Sequence, residues 1–314
     1  MASSSTEPRV VDFRPRSARI GERIIMRLLL ACGALSILTT LAILAVLVIE
    51  GSAFFRNVSI VEFFTDTAWR PFGDPESDAF RIGILPLING TLLVTGIAML
   101  VAVPLGLGAA AYLSEYASAR VRRLVKPSLE VLAGVPTVVL GYFALTFVTP
   151  LLRDVLPEGS VQIFNALSAG LVVGVMIVPT IASLSEDAMS AVPGSLRQAA
   201  YGIGATRSTV VRHVVVPAAL SGIVSAIILG MGRAIGETMI VAIAAGNLPT
   251  MTLDPGDQIQ SMTGYIVQAV SGEAPRGSPT YNSIFAVGLV LFTMTFGLNL
   301  LAQRFVRRFR EVYS

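Results

Sequence analysis

Two charged side chains stand where charge is expensive. Arg233 and Glu237 lie in the segment GRAIGETM, inside an apolar run over roughly 218–246. If that run is one helix entered at Pro217, Arg233 sits sixteen residues along it, roughly 24 Å. A guanidinium at that depth is inside the hydrocarbon or at a central cavity. An arginine at mid-bilayer costs about 2.5–3.5 kcal/mol on insertion scales, so it faces protein or water rather than lipid. Two chemistries fit. Glu237 is one turn further along, on the same face, and can neutralise Arg233 as an i, i+4 ion pair in a helix interface. Alternatively the guanidinium faces a pathway and offers bidentate hydrogen bonds to a tetrahedral oxyanion, with Glu237 holding it when no anion is present. Gly230, Gly232 and Gly236 thin the helix here, which leaves room for a pathway or for close packing.

Other reactive residue types are scarce. The sole lysine, Lys126, stands between Val125 and Pro127. A phosphate-binding loop needs Gly-Lys-Ser/Thr, so the chain cannot hydrolyse ATP by that route. His213 is the only histidine and Cys32 the only cysteine. His213 suits a plain surface role, and Cys32 lies in an apolar run as a small lipid- or core-facing residue. Nothing has metal-ligand spacing, so neither a metal nor a cofactor is expected, and no enzyme activity. Glu130 is expected at the cytoplasmic start of a membrane helix, where a carboxylate suits the helix N-terminus. Pro136 is expected to kink that helix.

The elements that position these residues are membrane helices. Of 314 residues, 54% are hydrophobic and 14% charged, with a mean hydropathy of +0.73; soluble domains carry about 25% charged residues. Apolar runs at roughly 28–49, 84–113, 129–152, 163–184, 218–246 and 284–302 predict an all-α, polytopic membrane protein with six transmembrane helices. The first run is longer than a signal-peptide core and has no small-x-small cleavage site after it, so the helix over 23–50 is expected to be retained. Residues 1–22 read as a disordered basic tail and 305–314 as a short basic one. The loop 51–82 carries Phe54, Phe55, Phe63, Phe64, Trp69 and Phe72, suited to an interfacial belt or a loop lying on the membrane. Six spans put both termini on one side, and the positive charges choose it. Arg120, Arg122, Arg123 and Lys126, the arginines of the two tails, and Arg197, Arg207 and Arg212 all fall on that side. The other side holds most of the acids, including Asp66, Asp74, Glu76 and Asp78. By the positive-inside rule both termini and the stretch 186–217 are cytoplasmic.

That stretch is polar and patterned for helices. Pro193 and Gly194 interrupt the chain, and Ser195 with Gln198 fits a capping box that opens a short helix through Tyr201. Gly202 and Gly204 suit its end. Thr206 can cap a second short helix ending near His213, and Pro217 then falls in the first turn of the fifth membrane helix. On this reading the loop and Arg233 share one rigid element. Ala199 and Ala200 present a small face that lets a partner backbone approach, and Arg197, Arg207 and Arg212 offer a polar rim. The pattern alone fits a protein-docking helix or an amphipathic helix on anionic lipid.

The spacing Gln198-Ala199-Ala200, three residues, Gly204, nine residues, Val214, one residue, Val216-Pro217 resembles the cytoplasmic loop of ABC-transporter permeases, EAA–three–G–nine–I–x–LP. Gln198 replaces the usual Glu, Val214 the Ile and Val216 the Leu. GILPLINGTLLVT (83–95), PLGLGAAAYLSEYA (104–117), LEVLAGVPTVVLGYF (129–143) and GRAIGETM (232–239) resemble the permeases of phosphate importers. The resemblance implies a type I ABC importer permease core (MetI-like) over 83–304 with its coupling loop at 186–217. It implies that Gln198, Ala199, Ala200, Gly204 and Pro217 belong to a loop docking on an ATP-hydrolysing subunit, and that Arg233 and Glu237 line the substrate pathway. It further implies a second, similar permease subunit, ATP-binding ATPase subunits and an external phosphate-binding protein, in a bacterial cytoplasmic (inner) membrane, with lipid but no nucleic acid as a partner. A permease for sulfate, molybdate or another oxyanion and an ion-coupled carrier using the Glu237–Arg233 pair are the alternative readings.

Overall fold

Where apolar side chains run on without polar interruption, a chain in lipid must satisfy its backbone within helices, and that is what it does here. A computed structural model describes residues 16–56, 58–72, 80–273 and 277–309. The elements are α1 (Arg16–Phe54), α2 (Ile60–Thr65), β1 (Trp69–Arg70), β2 (Arg81–Ile82), α3 (Leu85–Ala111), α4 (Ala119–Ala133), α5 (Thr137–Phe143) and α6 (Thr149–Val155). They continue with α7 (Ala166–Ser190), α8 (Gly194–Gly202), α9 (Arg207–Val210), α10 (Val216–Ala218), α11 (Leu220–Ile235), α12 (Met239–Ala244), α13 (Met262–Gln268) and α14 (Pro279–Phe309). Among the described residues, five helical stretches are long and apolar enough to cross a membrane: Gly21–Phe54, Leu85–Tyr116, Thr137–Val155, Ala166–Ser190 and Pro279–Val306. A sixth exists only if the bent pair Arg207–Ala218 and Leu220–Ile235 counts as one span.

The chain divides into two units, 1–49 and 50–314. In the first, α1 begins at Arg16, so residues 16–22, expected as tail, are helical. Its Leu28, Leu30, Ile37 and Leu41 are exposed, as befits a lipid-facing helix. The expected tails at 1–15 and 310–314, and the outer acids Asp74, Glu76 and Asp78, lie outside the described residues.

The second unit is built on α3 and α7. Val94, Ala98 and Ala102 of α3 and Val173, Met176, Ile177 and Ile181 of α7 form its central core, with Ile240, Val241 and Ala244 of α12. Gly170 and Gly174, one turn apart, let the two backbones approach. A Cβ on Gly174 would stand 2.8 Å from the Ala98 carbonyl oxygen and 2.9 Å from Val101 Cβ. Small residues at i, i+4 are the usual device for close helix contact in lipid, where dispersion and shape drive association.

Three helix expectations change. The run at 129–152 is not one helix: α4 ends at Ala133 and α5 starts only after Pro136. Proline lacks the N–H that would continue the ladder and forces the preceding residue out of the helical region. Pro136 therefore breaks the chain rather than kinking a helix, and Glu130 sits in the last turn of α4, not at a helix start. Next, α7 runs to Ser190, so Glu186 belongs to a membrane helix and not to the loop. Lastly, the run at 218–246 breaks twice, at Ala219 and at Gly236–Thr238.

Part of the aromatic loop folds into a core, while its Phe64 and Phe72 stay exposed. Phe54, Phe63 and Trp69 are buried with Tyr265. The Trp69 ring meets the Tyr265 ring edge-on at 4.8 Å. Beneath them β1 pairs antiparallel with β2, the one strand pair in an otherwise helical chain among the described residues. Asp66 takes two hydrogen bonds from the Arg81 guanidinium, at 2.6 and 2.8 Å, which hold its carboxyl below the usual carboxylate range.

Gly174→Ala is expected to lower the midpoint of thermal unfolding in detergent, since overpacking a tight contact costs about 1–3 kcal/mol. Gly96→Ala, in α3 with nothing within 4 Å of the added Cβ, is expected to leave the midpoint unchanged or raise it. Equal midpoints for Gly174→Ala and the wild type would contradict the close approach.

Candidate functional site

Arg233 and Glu237 do not pair. Helix α11 ends at Ile235, and Gly236 closes it with its N–H on the Gly232 carbonyl at 3.2 Å. Once the helix stops, the i, i+4 geometry that would have faced Glu237 towards Arg233 is gone. The Glu237 carboxylate turns forward instead. It accepts from the backbone N–H groups of Met239 at 3.1 Å and Ile240 at 3.3 Å, capping the start of α12. Its own carbonyl accepts from the Thr263 hydroxyl at 2.9 Å. Glu237 is thus buried, 8% exposed, as a joint between α11, α12 and α13.

Arg233 is exposed in the last turn of α11, where a cation also complements the helix dipole. Its Nη1 donates to the Thr180 hydroxyl of α7 at 3.3 Å. No acid among the described residues forms an ion pair with it. The arginine therefore presents a charge with most of its five donors uncommitted, about 20 Å along α11 from Leu220. Thr180 follows Pro179, the proline inside α7.

The second region is the loop between α7 and α11. Helix α8 has no buried residue. Gln198 and Ala199 are exposed, while Ala200 is half-buried against the cluster of Ala110, Met189, Val192, Val210 and Val215. The expected capping box at Ser195 and Gln198 does not form. Pro193 stands at the N-cap with no side-chain hydrogen bond, so the helix opens on the fixed backbone of proline. Gly204 adopts φ +84°, a left-handed conformation that costs a residue with a Cβ roughly 1–2 kcal/mol. It turns the chain after α8, as its position at the helix end predicts. This turn leaves Ile203, at 88% exposed, standing out beside Tyr201 at 40%. Thr206 caps α9 through the Thr209 N–H at 3.3 Å, as expected.

Pro217 does not lie in the helix that carries Arg233. It opens the single turn α10, and the axis then bends by 73° into α11. The loop and Arg233 are therefore parts of two rigid elements joined at Ala219. Arg197, read as a rim charge, faces inward. Its Nε and Nη2 donate to Glu115 at 3.2 and 3.0 Å, and its Nη1 and Nη2 to the carbonyls of Val192 and Met189 at 2.5 and 2.8 Å. A neighbouring cluster ties α4 to α7. Glu186, with 1% of its side chain exposed, accepts from Arg122 and from Lys126 Nζ at 2.8 Å. Lys126 also reaches Asp187 at 2.8 Å, and Ser190 donates to Glu186 at 3.0 Å.

Sequence reasoning passed over Glu115, Thr180, Glu186 and Ile203. The two glutamates did carry a signal. Each is an acid at the end of an apolar run on the arginine-rich side, where a carboxylate meets cations whichever way it turns. Thr180 and Ile203 carried none, because a threonine in a helix and an isoleucine between glycines are ordinary until their surroundings are known.

Residues 102–311 match the family of binding-protein-dependent transport system inner membrane components. The chain is 36% identical over 284 residues to a probable ABC transporter permease, YqgH, of Bacillus subtilis, covering 90% of this chain and 89% of that one. It is 31% identical over 303 residues to the phosphate transport system permease PstC of Xylella fastidiosa, covering 90% of each. To PstC 1 of Mycobacterium tuberculosis it is 35% identical over 279 residues, covering 79% of this chain and 82% of that one. Among solved structures, a chain of a bacterial alginate ABC transporter in complex with an alginate pentasaccharide-bound periplasmic protein superposes with a TM-score of 0.63. It is 18% identical and covers 93% of this chain and 99% of that one. A chain of the methionine ABC transporter MetNI superposes with a TM-score of 0.53 at 19% identity, covering 73% of this chain and 95% of that one. The chain therefore belongs to the binding-protein-dependent transport system inner membrane components, the non-catalytic membrane-spanning permeases of ABC importers.

Proposed function

We propose that this chain is a permease subunit of an ATP-driven importer of inorganic phosphate. The observation that carries this reading is Arg233. It is a guanidinium exposed within an apolar span, tied to a neutral threonine and to no acid among the described residues. A planar cation with free paired donors suits a tetrahedral oxyanion better than any neutral or cationic solute. The names of the PstC relatives support phosphate as the anion. Glu237 shapes the turn behind Arg233, so the ion-coupled carrier reading loses the pair it relied on.

The chain has no phosphate-binding loop, so the energy comes from elsewhere. In this reading an external phosphate-binding protein delivers the anion. A second, similar permease completes the pathway, and ATPase subunits drive it. Helix α8 and the turn at Gly204 are the docking face for an ATPase subunit. Gln198 and Ala199 give a small polar surface, Tyr201 and Ile203 an apolar tip, and Pro217 ends the loop. An isoleucine left 88% exposed on a polar loop suits an apolar pocket on a protein better than water.

Labelled phosphate uptake should fall about tenfold to a hundredfold in an assembled Arg233→Gln complex, the worth of one or two charged hydrogen bonds. Uptake at the wild-type rate would overturn the pathway role. Excess sulfate or molybdate should leave wild-type uptake intact; competition by either would move the substrate to that oxyanion. Ile203→Asp should reduce co-purification of the ATPase subunit while the permease pair stays intact, and undiminished co-purification would remove the docking role of the tip.

A further inference from the structure

Helix α8 is joined to the membrane helices by one side chain more than by any other. Arg197 uses four hydrogen bonds on three acceptors, and each acceptor belongs to the end of a span. Glu115 lies in the π-helical turn Tyr112–Tyr116 that finishes the α3 span. Met189 and Val192 lie at and just beyond the end of α7, where the Met189 carbonyl also accepts from the Val192 N–H at 3.2 Å. Arg197 and Glu115 are mostly shielded, with 19% and 7% of their side chains exposed. Ser114 also donates to Glu115 at 3.1 Å, fixing the carboxylate that receives the guanidinium. A charge-assisted pair in this setting is stronger than one in open water. Arginine alone can span the three acceptors, because its fork is planar and its donors diverge.

The connection on the other side of the loop is of a different kind. Between α8 and α11 the chain passes through the turn at Gly204, a π-helical turn at Val211–Val215 and the 73° bend at Ala219. Motion of α8 that reached α11 along the backbone would be absorbed at those joints. The α3–α7 pair is instead held face to face by the glycine contacts at Gly170 and Gly174, and the Arg197 bonds reach its ends directly in space rather than along the backbone.

We propose that Arg197 is the positioning residue that transmits movement of the docked α8 into α3 and α7, through Glu115 and the α7 terminal carbonyls. The inference rests on α8 being the ATPase-docking helix. It goes beyond that reading by naming the side chain that carries the displacement and the pair of spans that receives it. The salt bridges from Arg122 and Lys126 of α4 to Glu186 fasten a further helix to the same α7 end. The elements tied to α8 through Arg197 and these bridges are therefore α3, α4 and α7.

The test uses the complete importer, reconstituted in vesicles with its ATPase subunits, second permease and binding protein. Phosphate transported and ATP hydrolysed are measured on the same preparation, with Arg197→Gln, Glu115→Gln and the double variant. The expected result for each single variant is an ATPase subunit that still co-purifies, ATP hydrolysis within about twofold of wild type, and at least a tenfold fall in phosphate carried per ATP. The double variant is expected to be no worse than the more affected single one, since both remove the same link. Glu115→Gln keeps the test open if Arg197→Gln does not fold, because it breaks the link from the membrane side. Unchanged transport per ATP, multiplied losses in the double variant, or loss of the ATPase subunit on Arg197→Gln would each overturn the proposal. The docking reading is checked separately by placing a cysteine at Ile203 in a Cys32→Ala chain. A cross-link to the ATPase subunit upholds docking, and its absence refutes docking whatever Arg197 does.

Discussion

The close approach of α3 and α7 is the contact on which the rest of the second unit depends. Lipid offers no hydrophobic drive for two apolar helices to associate, so they must do so by shape. Gly170 and Gly174 supply the shape, and Ile97, Ala98 and Val101 fill the space they leave. The same small-residue logic extends to α11, where Gly230 meets Ile177 and Ile181 of α7. Every functional feature is then hung on this pair. Arg233 donates to a threonine of α7, α8 is bonded to the ends of both helices, and α4 is clamped to the end of α7.

A buried carboxylate organises the end of α7 that meets α4. Glu186 is fully buried, and an unpaired charge there would be costly. Two cations from α4 and a serine hydroxyl from its own helix satisfy it. This resolves an oddity in α4, which has basic residues throughout its first two turns. Arg122 and Lys126, four apart, turn inward to Glu186, whereas Arg120 and Arg123 remain outside.

The breaks in the helices matter as much as the helices. Gly236 stops α11 and thereby separates Arg233 from Glu237. The bend at Ala219 separates the loop from the span that carries Arg233. An unbroken fifth helix would have joined the loop to Arg233 as one rigid rod, with Glu237 one turn beyond the cation. The observed breaks leave Arg233 bonded to Thr180 with no acid partner among the described residues, and leave α8 tied to the ends of α3 and α7 through Arg197.

The sequence by itself determined the class of molecule. Apolar runs of span length predicted a polytopic helical membrane protein, and the resemblance carried by the loop spacing and by GRAIGETM pointed to the ABC-permease family. The spacing from Gln198 to Pro217 located the loop, and the turn at Gly204 was legible because a glycine past a short helix has one main use. Local patterning could not say how far a helix continues through glycine or proline, because that depends on whether neighbours satisfy the freed backbone groups. Nor could it say which partner a charge takes, because Arg197 and Glu115 are 82 residues apart. Only tertiary structure brought those two together and pulled Arg233 and Glu237 apart, since pairing in a folded chain follows distance in space and not along the sequence.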